Sequence, residues 1–579
     1  MNFKEVALVF DEIEKESSRT LITEKLAYLF QNASSKEAMH LAYLCLGELN
    51  PPYIGTQFGV AKKNMVKIIA RLINQPELLV QDLVTQAGDS GSVVMHYSWP
   101  INQSLTVLEV YTLLNDFEKL EGIGSQEQKI EFLYQCLLRL EPVCAKYVIR
   151  IVMGTLRLGF SDMTMMDAFS WMATGDKSLK KYLEDAYNVC ADVGLIIQTL
   201  KEQGIDAIKA MNIHVGIPIR PAAAERLPEA QAIIDKIGTC VAQPKIDGFR
   251  VQVHVDNRNG EQIIRFFSRN LLDMSAMFPE LVQVCKTLPV TSLILDGEAM
   301  VYDPNTDQFM PFQETVKRRR KHEIDEVAAE LPLTLHVFDL LYLNGQSCLD
   351  KAHSVRRQLA KDLLDTVNSK SIKLIDEIKV TTAQDLLSYF DQEIAAGLEG
   401  VVVKRPEAHY QPGKRNFNWI KLKYQASQKL EDTLDVVILG YYAGQGKRAQ
   451  FGIGALLVGC YDAEYDCFET VAKIGTGFFD LEWIEVKKRC DEIKVSEKPH
   501  NVVCDKSLTP SVWVDPTIVC EVLADEITIS PVHSAGKAKG AHFGLALRFP
   551  RFIKYRPDKS AYQTTSVKEL KEIQKVQTV

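Results

Sequence analysis

The sequence predicts a multidomain protein: an all-α domain over residues 1–215, an α+β domain over 216–428 and a small β-barrel domain over 429–579. Three observations predict it. At 579 residues the chain is longer than one hydrophobic core can fill. Helical periodicity dominates up to about residue 215, and period-2 alternation takes over after Lys245. A Pro-rich, extended stretch from Ile213 to Pro221 marks the change. Strand-like segments parted by Gly-rich or polar turns fill the last region.

Each element has its own signal. In the helical region, Ser34 to Glu37 and Ser125 to Gln128 have capping-box spacing, and a long amphipathic stretch follows each. In the middle region, Phe249, Val251, Val253 and Val255 alternate with Arg250, Gln252, His254 and Asp256, the pattern of a strand with one buried face. Lys245 stands at the head of that strand, and Asp247-Gly248 bends the chain between them. In the last region, Val436 to Tyr442, Ala455 to Tyr461 and Val519 to Ile529 read as strands. Ser566 and Glu569 cap a final short helix.

Composition narrows the function classes. A hydrophobic content of 46% suits globular folding. The net charge of -8 and a pI near 5.9 exclude blanket attraction to polyanions. Binding to a polyanion must come from local patches such as Lys317 to Lys321 or Arg548 to Lys559. Twelve cysteines without a CxxC pair argue against a zinc ribbon and for free thiols in a reducing compartment. With no apolar run approaching a membrane span and no signal peptide, the expectation is a soluble protein of the cytoplasm or nucleus, not secreted.

Lys245 lies in Lys245-Ile246-Asp247-Gly248-Phe249-Arg250, held by a rigid element yet aimed into open space, as a nucleophile requires. Polar clusters in strand-like settings follow it. Ser268-Arg269-Asn270 ends one strand, and Asp296-Gly297-Glu298 ends the apolar run Ser292 to Leu295. Phe338-Asp339 sets an aromatic beside a carboxylate, a surface for stacking a purine base. Glu399 precedes the valines 401–403, and Lys404 follows them. Alternation sends Trp419, Lys421 and Lys423 to one face and Ile420 and Leu422 to the other, so two lysines line one wall.

In this order and spacing, KIDGFR, SRN, LDGEAM, HVFDLLYLNG, EGVVVK, WIKLK and LRFPRFIKYRPDK resemble the ATP-dependent DNA ligases of the archaeal and eukaryotic replicative type. Tyr53 to Lys63, Gly88 to Val93 and Lys146 to Gly159 resemble that family's DNA-binding domain, and the last region resembles its OB-fold. The resemblance implies an all-α DNA-binding domain, an α+β nucleotidyltransferase domain and an OB-fold, closing around DNA as a ring. It implies sealing of nicks in three steps: attack of Lys245 on the α-phosphate of ATP, transfer of AMP to a 5'-phosphate, and displacement of AMP by a 3'-hydroxyl. A lysine nucleophile must attack without its proton, so the site should be desolvated or hold nearby cations such as Mg²⁺.

The same resemblance assigns roles. Arg250 and Arg269 would hold ribose and phosphate, Phe338 would stack on the base, and Glu298 and Glu399 would hold sugar and Mg²⁺. Lys421 and Lys423 would meet the α-phosphate, and Arg415 the triphosphate. Arg556 and Lys559, with Asp558, would close over the pyrophosphate in the first step. Gln243 stands where the family has Glu; its amide oxygen can still accept from an exocyclic amino group. Residues within Asp256 to Gln262 lengthen a hairpin and belong in a surface turn. The implied partners are nicked double-stranded DNA and a sliding clamp, with the chain itself a monomer. Two other readings stay open: a catalytically inactive clamp on nicked DNA, and an RNA-directed nucleotidyltransferase.

Overall fold

In the computed structural model the described residues are 1–101, 104–122, 124–258, 260–303, 308–310, 312–318, 323–367, 369–423, 433–537 and 543–577. They form two compact units: residues 1–64 with 98–424, and residues 65–97 with 425–579. The boundary expected at residue 428 lies outside the described residues.

Helices fill the chain from Phe3–Glu14 to Val193–Lys209, and those within residues 65–97 belong to the second unit. Spacing explains the first: Phe3, Val6, Phe10 and Ile13 fall on one face and are buried. Ser34 and Glu37 form the expected capping box. Ser125 does not; Gly124, at φ 80°, is the N-cap and Ser125 is the first helical residue. Lys146 and Arg150 are buried. Lys146 meets Asp11 and Glu14 at 2.8 and 2.7 Å and Arg150 meets Glu14 at 2.8 Å, so both cations tie helix Pro142–Val152 to the first helix.

Strands follow: β1 (Ala223–Arg226), β2 (Cys240–Pro244), β3 (Phe249–Asp256), β4 (Ile263–Ser268), β5 (Ser292–Asp303) and β6 (Gln308–Phe309). Next come β7 (Leu333–Leu343), β8 (Gln346–Ser347), β9 (Ile372–Leu374), β10 (Ile378–Val380), β11 (Gly400–Lys404) and β12 (Arg415–Lys423). They form two sheets. One is five-stranded, in the order β1-β12-β11-β2-β10, and the other runs β4-β3-β5-β7-β8, with β6 on β5 and β9 on β7. Lys245 therefore follows a strand of the first sheet rather than heading β3, and the hexapeptide Lys245 to Arg250 is the crossover from one sheet to the other.

Both sheets bury a face. Ala242, Val401, Val403, Ile420 and Leu422 pack under the first, beneath helices Ala230–Ile237 and Ala383–Ala395. Val251, Val253, Val255, Leu293, Leu295 and Val337 pack under the second. The opposite face of β3 is covered too, contrary to the expectation of one buried face. Gln252 exchanges hydrogen bonds with the backbone of Ile219, and His254 Nδ1 accepts from Gly216 N–H, so the Pro-rich stretch lies over it. The lengthened segment after Asp256 is the turn between β3 and β4, as expected.

The second unit carries β13 (Leu434–Tyr442), β14 (Ala455–Asp462), β15 (Cys467–Ile474), β16 (Lys494–Val495) and β17 (Val502–Val503). It continues with β18 (Val512–Val514), β19 (Val519–Leu523), β20 (Glu526–Ser530), β21 (Gly544–Arg548) and β22 (Arg551–Tyr555). The stretch Val519 to Ile529 is two strands with separate partners, β19 with β13 and β22, and β20 with β21. Ser566 and Glu569 cap the last helix as expected.

Neither basic patch is bare. Arg318 is buried and pairs with Glu280 at 2.8 Å, Lys317 pairs with Glu314, and residues 319–321 lie outside the described residues. From Arg548 to Lys559, Arg548, Arg551, Lys554, Arg556 and Lys559 each face a carboxylate: Glu526, Asp525, Glu521 and, for the last two, Asp435. The twelve cysteines are free thiols. Among the described residues no helix is long and apolar enough to cross a membrane.

Candidate active site between two sheets

Register decides which side chains share the cleft. Gln243 on β2 and Lys421 on β12 both lie opposite Val402 on β11, and Gly400 lies opposite Lys423. Opposed residues of antiparallel strands point the same way, so one face presents Gln243, Lys421, Lys423, Trp419 and Lys404, while Ile420 and Leu422 point to the core. Lys245 extends the β2 ladder by one residue: its N–H donates to Gly400 O at 2.8 Å and its carbonyl accepts from Glu399 N–H at 3.2 Å. Gly400 is required there. Its φ is +133°, and a Cβ would stand 2.3 Å from Leu422 O.

The charges on this wall are unbalanced. Glu399 Oε2 lies 2.6 Å from Lys245 Nζ and 2.8 Å from Lys423 Nζ. Burial alone would raise its pKa, but Lys245 and Lys423 outweigh burial and hold it below the usual carboxylate range. The pKa of Lys421 is lowered, first by burial and then by Lys423, Arg415, Lys245 and Arg269. Arg269 and Arg415 are exposed, and neither has a hydrogen bond or ion pair among the described residues. Two of these cations share one carboxylate while Lys421, Arg415 and Arg269 add positive charge beside them, a wall suited to a polyanion.

The second sheet supplies the opposite wall. Arg250 and Glu298 are paired in register. Arg250 is anchored by the protein: Nε and Nη2 reach Asp296 at 3.2 and 2.7 Å, and Nη1 reaches Ala222 O at 2.7 Å. Its guanidinium also lies over the Phe338 ring, 5.3 Å from the centroid. Phe338 packs edge-on against Trp419, and Lys404 Nζ sits 4.3 Å from the Trp419 centroid and donates to Phe338 O. Burial pushes the Lys404 ammonium down to about 8. Glu298 accepts from Gly248 N–H at 3.2 Å, and burial pushes its pKa up to about 7 against the pull of Lys245 and Arg250. Asp296 and Glu298 lie within β5, not at its end.

Beneath Phe338 is a polar network that sequence reasoning missed. Asp339 is buried and takes two hydrogen bonds from Arg356, at 2.6 and 3.0 Å, which outweigh the effect of burial and hold its pKa well below the carboxylate range. His353 lies between Asp339 and Glu377, and Gln243 Nε2 donates to Glu377 at 2.7 Å. Tyr410 donates to Asp296. Their signal is weak: each sits in an ordinary helix or loop, far along the chain from what it touches. In the second unit, Arg556 and Lys559 converge on Asp435, and Arg556 also holds Asp558.

The chain is similar to known proteins along its whole length. Residues 221–423 match the family described as ATP dependent DNA ligase domain, residues 2–170 the DNA ligase N terminus, and residues 449–559 the ATP dependent DNA ligase C terminal region. A probable DNA ligase of Dictyoglomus thermophilum is 43% identical over 99% of this chain and 97% of its own. DNA ligase 1 of Methanosarcina acetivorans is 36% identical over 99% of both. A solved chain designated Pmar-Lig_PreS3 has the same fold, with a TM-score of 0.55 at 18% identity over 95% of this chain and 99% of that one.

Proposed function

The chain belongs to the family of ATP-dependent DNA ligases, which seal nicks in duplex DNA, and we propose that Lys245 is the nucleophile that carries AMP. The observation that carries this reading is the placement of Lys245 Nζ, 2.6 Å from Glu399, which it shares with Lys423, beside Lys421, Arg415 and Arg269, which have no ion pair among the described residues. An entering triphosphate supplies that anion. Lys421 and Lys423 meet the α-phosphate, where negative charge accumulates as the Lys245 amine attacks and pyrophosphate leaves. Arg415 and Arg269, exposed and unpaired among the described residues, reach toward phosphate.

Phe338, with Trp419 edge-on behind it, stacks on the base. Gln243 reads the base edge. Arg250, fixed by Asp296, braces Phe338 and the Glu298 side of the cleft. In the second step the AMP passes from Lys245 to a 5'-phosphate, which frees the amine; in the third the 3'-hydroxyl displaces AMP, closing the phosphodiester. Arg556 and Lys559 act on the pyrophosphate in the first step.

Glu298 and Glu399 would hold Mg²⁺. Two carboxylates fit a cation that takes its remaining ligands from water and substrate oxygens, and it would supply positive charge against the triphosphate. The three functional regions follow the boundaries 215 and 428, with the helical part gripping nicked duplex. A monomer acting on DNA inside the cell, recruited by a sliding clamp, completes the reading.

The test is incubation of the full chain with α-labelled ATP and Mg²⁺. A covalent, acid-stable label on the wild type that Lys245→Ala loses supports the reading. Absence of label on the wild type sinks it and leaves the inactive clamp. Sealing of a nick in RNA but not in DNA would favour the RNA-directed alternative.

A further inference from the structure

We infer that Glu377 fixes the hydrogen-bonding polarity of Gln243 and thereby selects a 6-aminopurine over a 6-oxopurine nucleotide. The inference rests on the reading above, in which the base edge meets Gln243. A glutamine amide is ambivalent: one end donates and the other accepts, and rotation by half a turn exchanges them. Which end faces the ligand depends on what holds the other.

Here the choice is made by a carboxylate. Ile378 on β10 lies opposite Ala242 on β2, so the next antiparallel step places Glu377 beside Gln243, on the face that also carries Lys421. Gln243 Nε2 donates to Glu377 Oε2 at 2.7 Å. The flipped amide would set two acceptors at that separation. Glu377 is itself held, by His353 Nε2 at 2.8 Å and Arg357 Nε at 3.1 Å, so it cannot turn away. No donor among the described residues meets Gln243 Oε1. The oxygen is therefore what a base edge encounters, and it can accept from the 6-amino group of adenine but repels the 6-oxo group of hypoxanthine or guanine.

The pairing also accounts for glutamine at 243. A glutamate there would stand against the partly buried Glu377, just before β10, as a second carboxylate in a site shielded from water. Gln243 and Glu377 are a matched pair, and exchanging their chemistry should preserve the match.

Self-nucleotidylation of the full chain with ATP and with ITP, measured over nucleotide concentration, tests this, with melting curves to establish folding. Glu377→Ala should lower the ATP-to-ITP ratio of kcat/KM by about tenfold or more, chiefly through a higher KM for ATP. Gln243→Glu should impair use of ATP, and adding Glu377→Gln to it should restore most of the loss, because the new amide donates to the new carboxylate. Equal slowing with ATP and ITP in Glu377→Ala, or no rescue in the double variant, overturns the inference and leaves Glu377 a structural residue. If Gln243→Ala leaves the ratio unchanged, the base is not read there and both the inference and its premise about Gln243 fail. Loss of all labelling in the wild type would instead refute the role of Lys245.

Discussion

Glu298 and Glu399, the two carboxylates proposed to hold Mg²⁺, should have opposite pH signatures, and Glu298→Gln exposes the less usual one. Burial raises the pKa of Glu298 from an ordinary 4.5 to about 7. The folded state therefore holds a proton that the unfolded chain has released, so this group favours folding most below pH 4.5 and loses that contribution as pH rises through about 7. A shift of that size corresponds to about 3 kcal/mol at 1.36 kcal/mol per unit. Residual solvent contact at Glu298 reduces it, and 1–3 kcal/mol is a fair order of magnitude. Glutamine is neutral at every pH and keeps an oxygen for the Gly248 N–H that Glu298 now accepts. Calorimetric melting of wild type and Glu298→Gln between pH 5 and 8.5, without nucleotide or metal, should give a difference in Tm near zero at the acid end. It should grow in favour of the variant toward pH 8. A difference that is flat, or that shrinks with rising pH, would falsify the assignment of Glu298 as a carboxyl that burial keeps protonated. Glu399, held below the usual range by Lys245 and Lys423, should behave conversely, its stabilisation vanishing as pH falls.

Four further outcomes follow from particular contacts. Arg356→Ala leaves Asp339 ionised in a buried site and should cost about 3–5 kcal/mol in denaturation; replacing both by apolar residues should recover much of that, and an additive loss would refute the pairing. Gly400→Ala puts a Cβ 2.3 Å from Leu422 O at the joint that sets Lys245 against Glu399, and should reduce self-adenylation more than it lowers Tm; a lower Tm with unchanged adenylation would contradict it. Replacing Arg556 and Lys559 by alanine should impair self-adenylation far more than sealing of a pre-adenylated nick, and equal losses in the two assays would refute their assignment to the first step. Binding to nicked duplex should weaken steeply with salt despite the net charge of -8, because the contacts are to phosphates; titrations at several salt concentrations showing a flat response would argue against that.

What the sequence made legible was local. The split of Trp419, Lys421 and Lys423 from Ile420 and Leu422 needs only the two-residue period of a strand, and the structure has it. The expectation failed where a neighbouring strand decides. Gly297 between two carboxylates read as a strand end, yet β5 continues through it, with a shift of register against β7 between Asp296 and Gly297. The glycine is there because a Cβ would meet Leu335 Cδ1 at 2.8 Å and His336 O at 2.9 Å on β7. Ser125 has a capping spacing but yields the cap to Gly124, whose positive φ turns the chain first. Arg356, His353 and Glu377 left no trace, because a buried charge network is defined by partners far apart in the chain. Lys245 shows the limit most clearly. Its motif was visible as a string of residues, but not the fact that Lys245 directly follows a strand of one sheet while Phe249 begins a strand of the other. Four residues, Lys245 to Gly248, join the two walls. The spacing of the motif is thus a length of backbone across the cleft, and adding or removing one residue there would displace the nucleophile from the wall that holds Phe338 and Glu298.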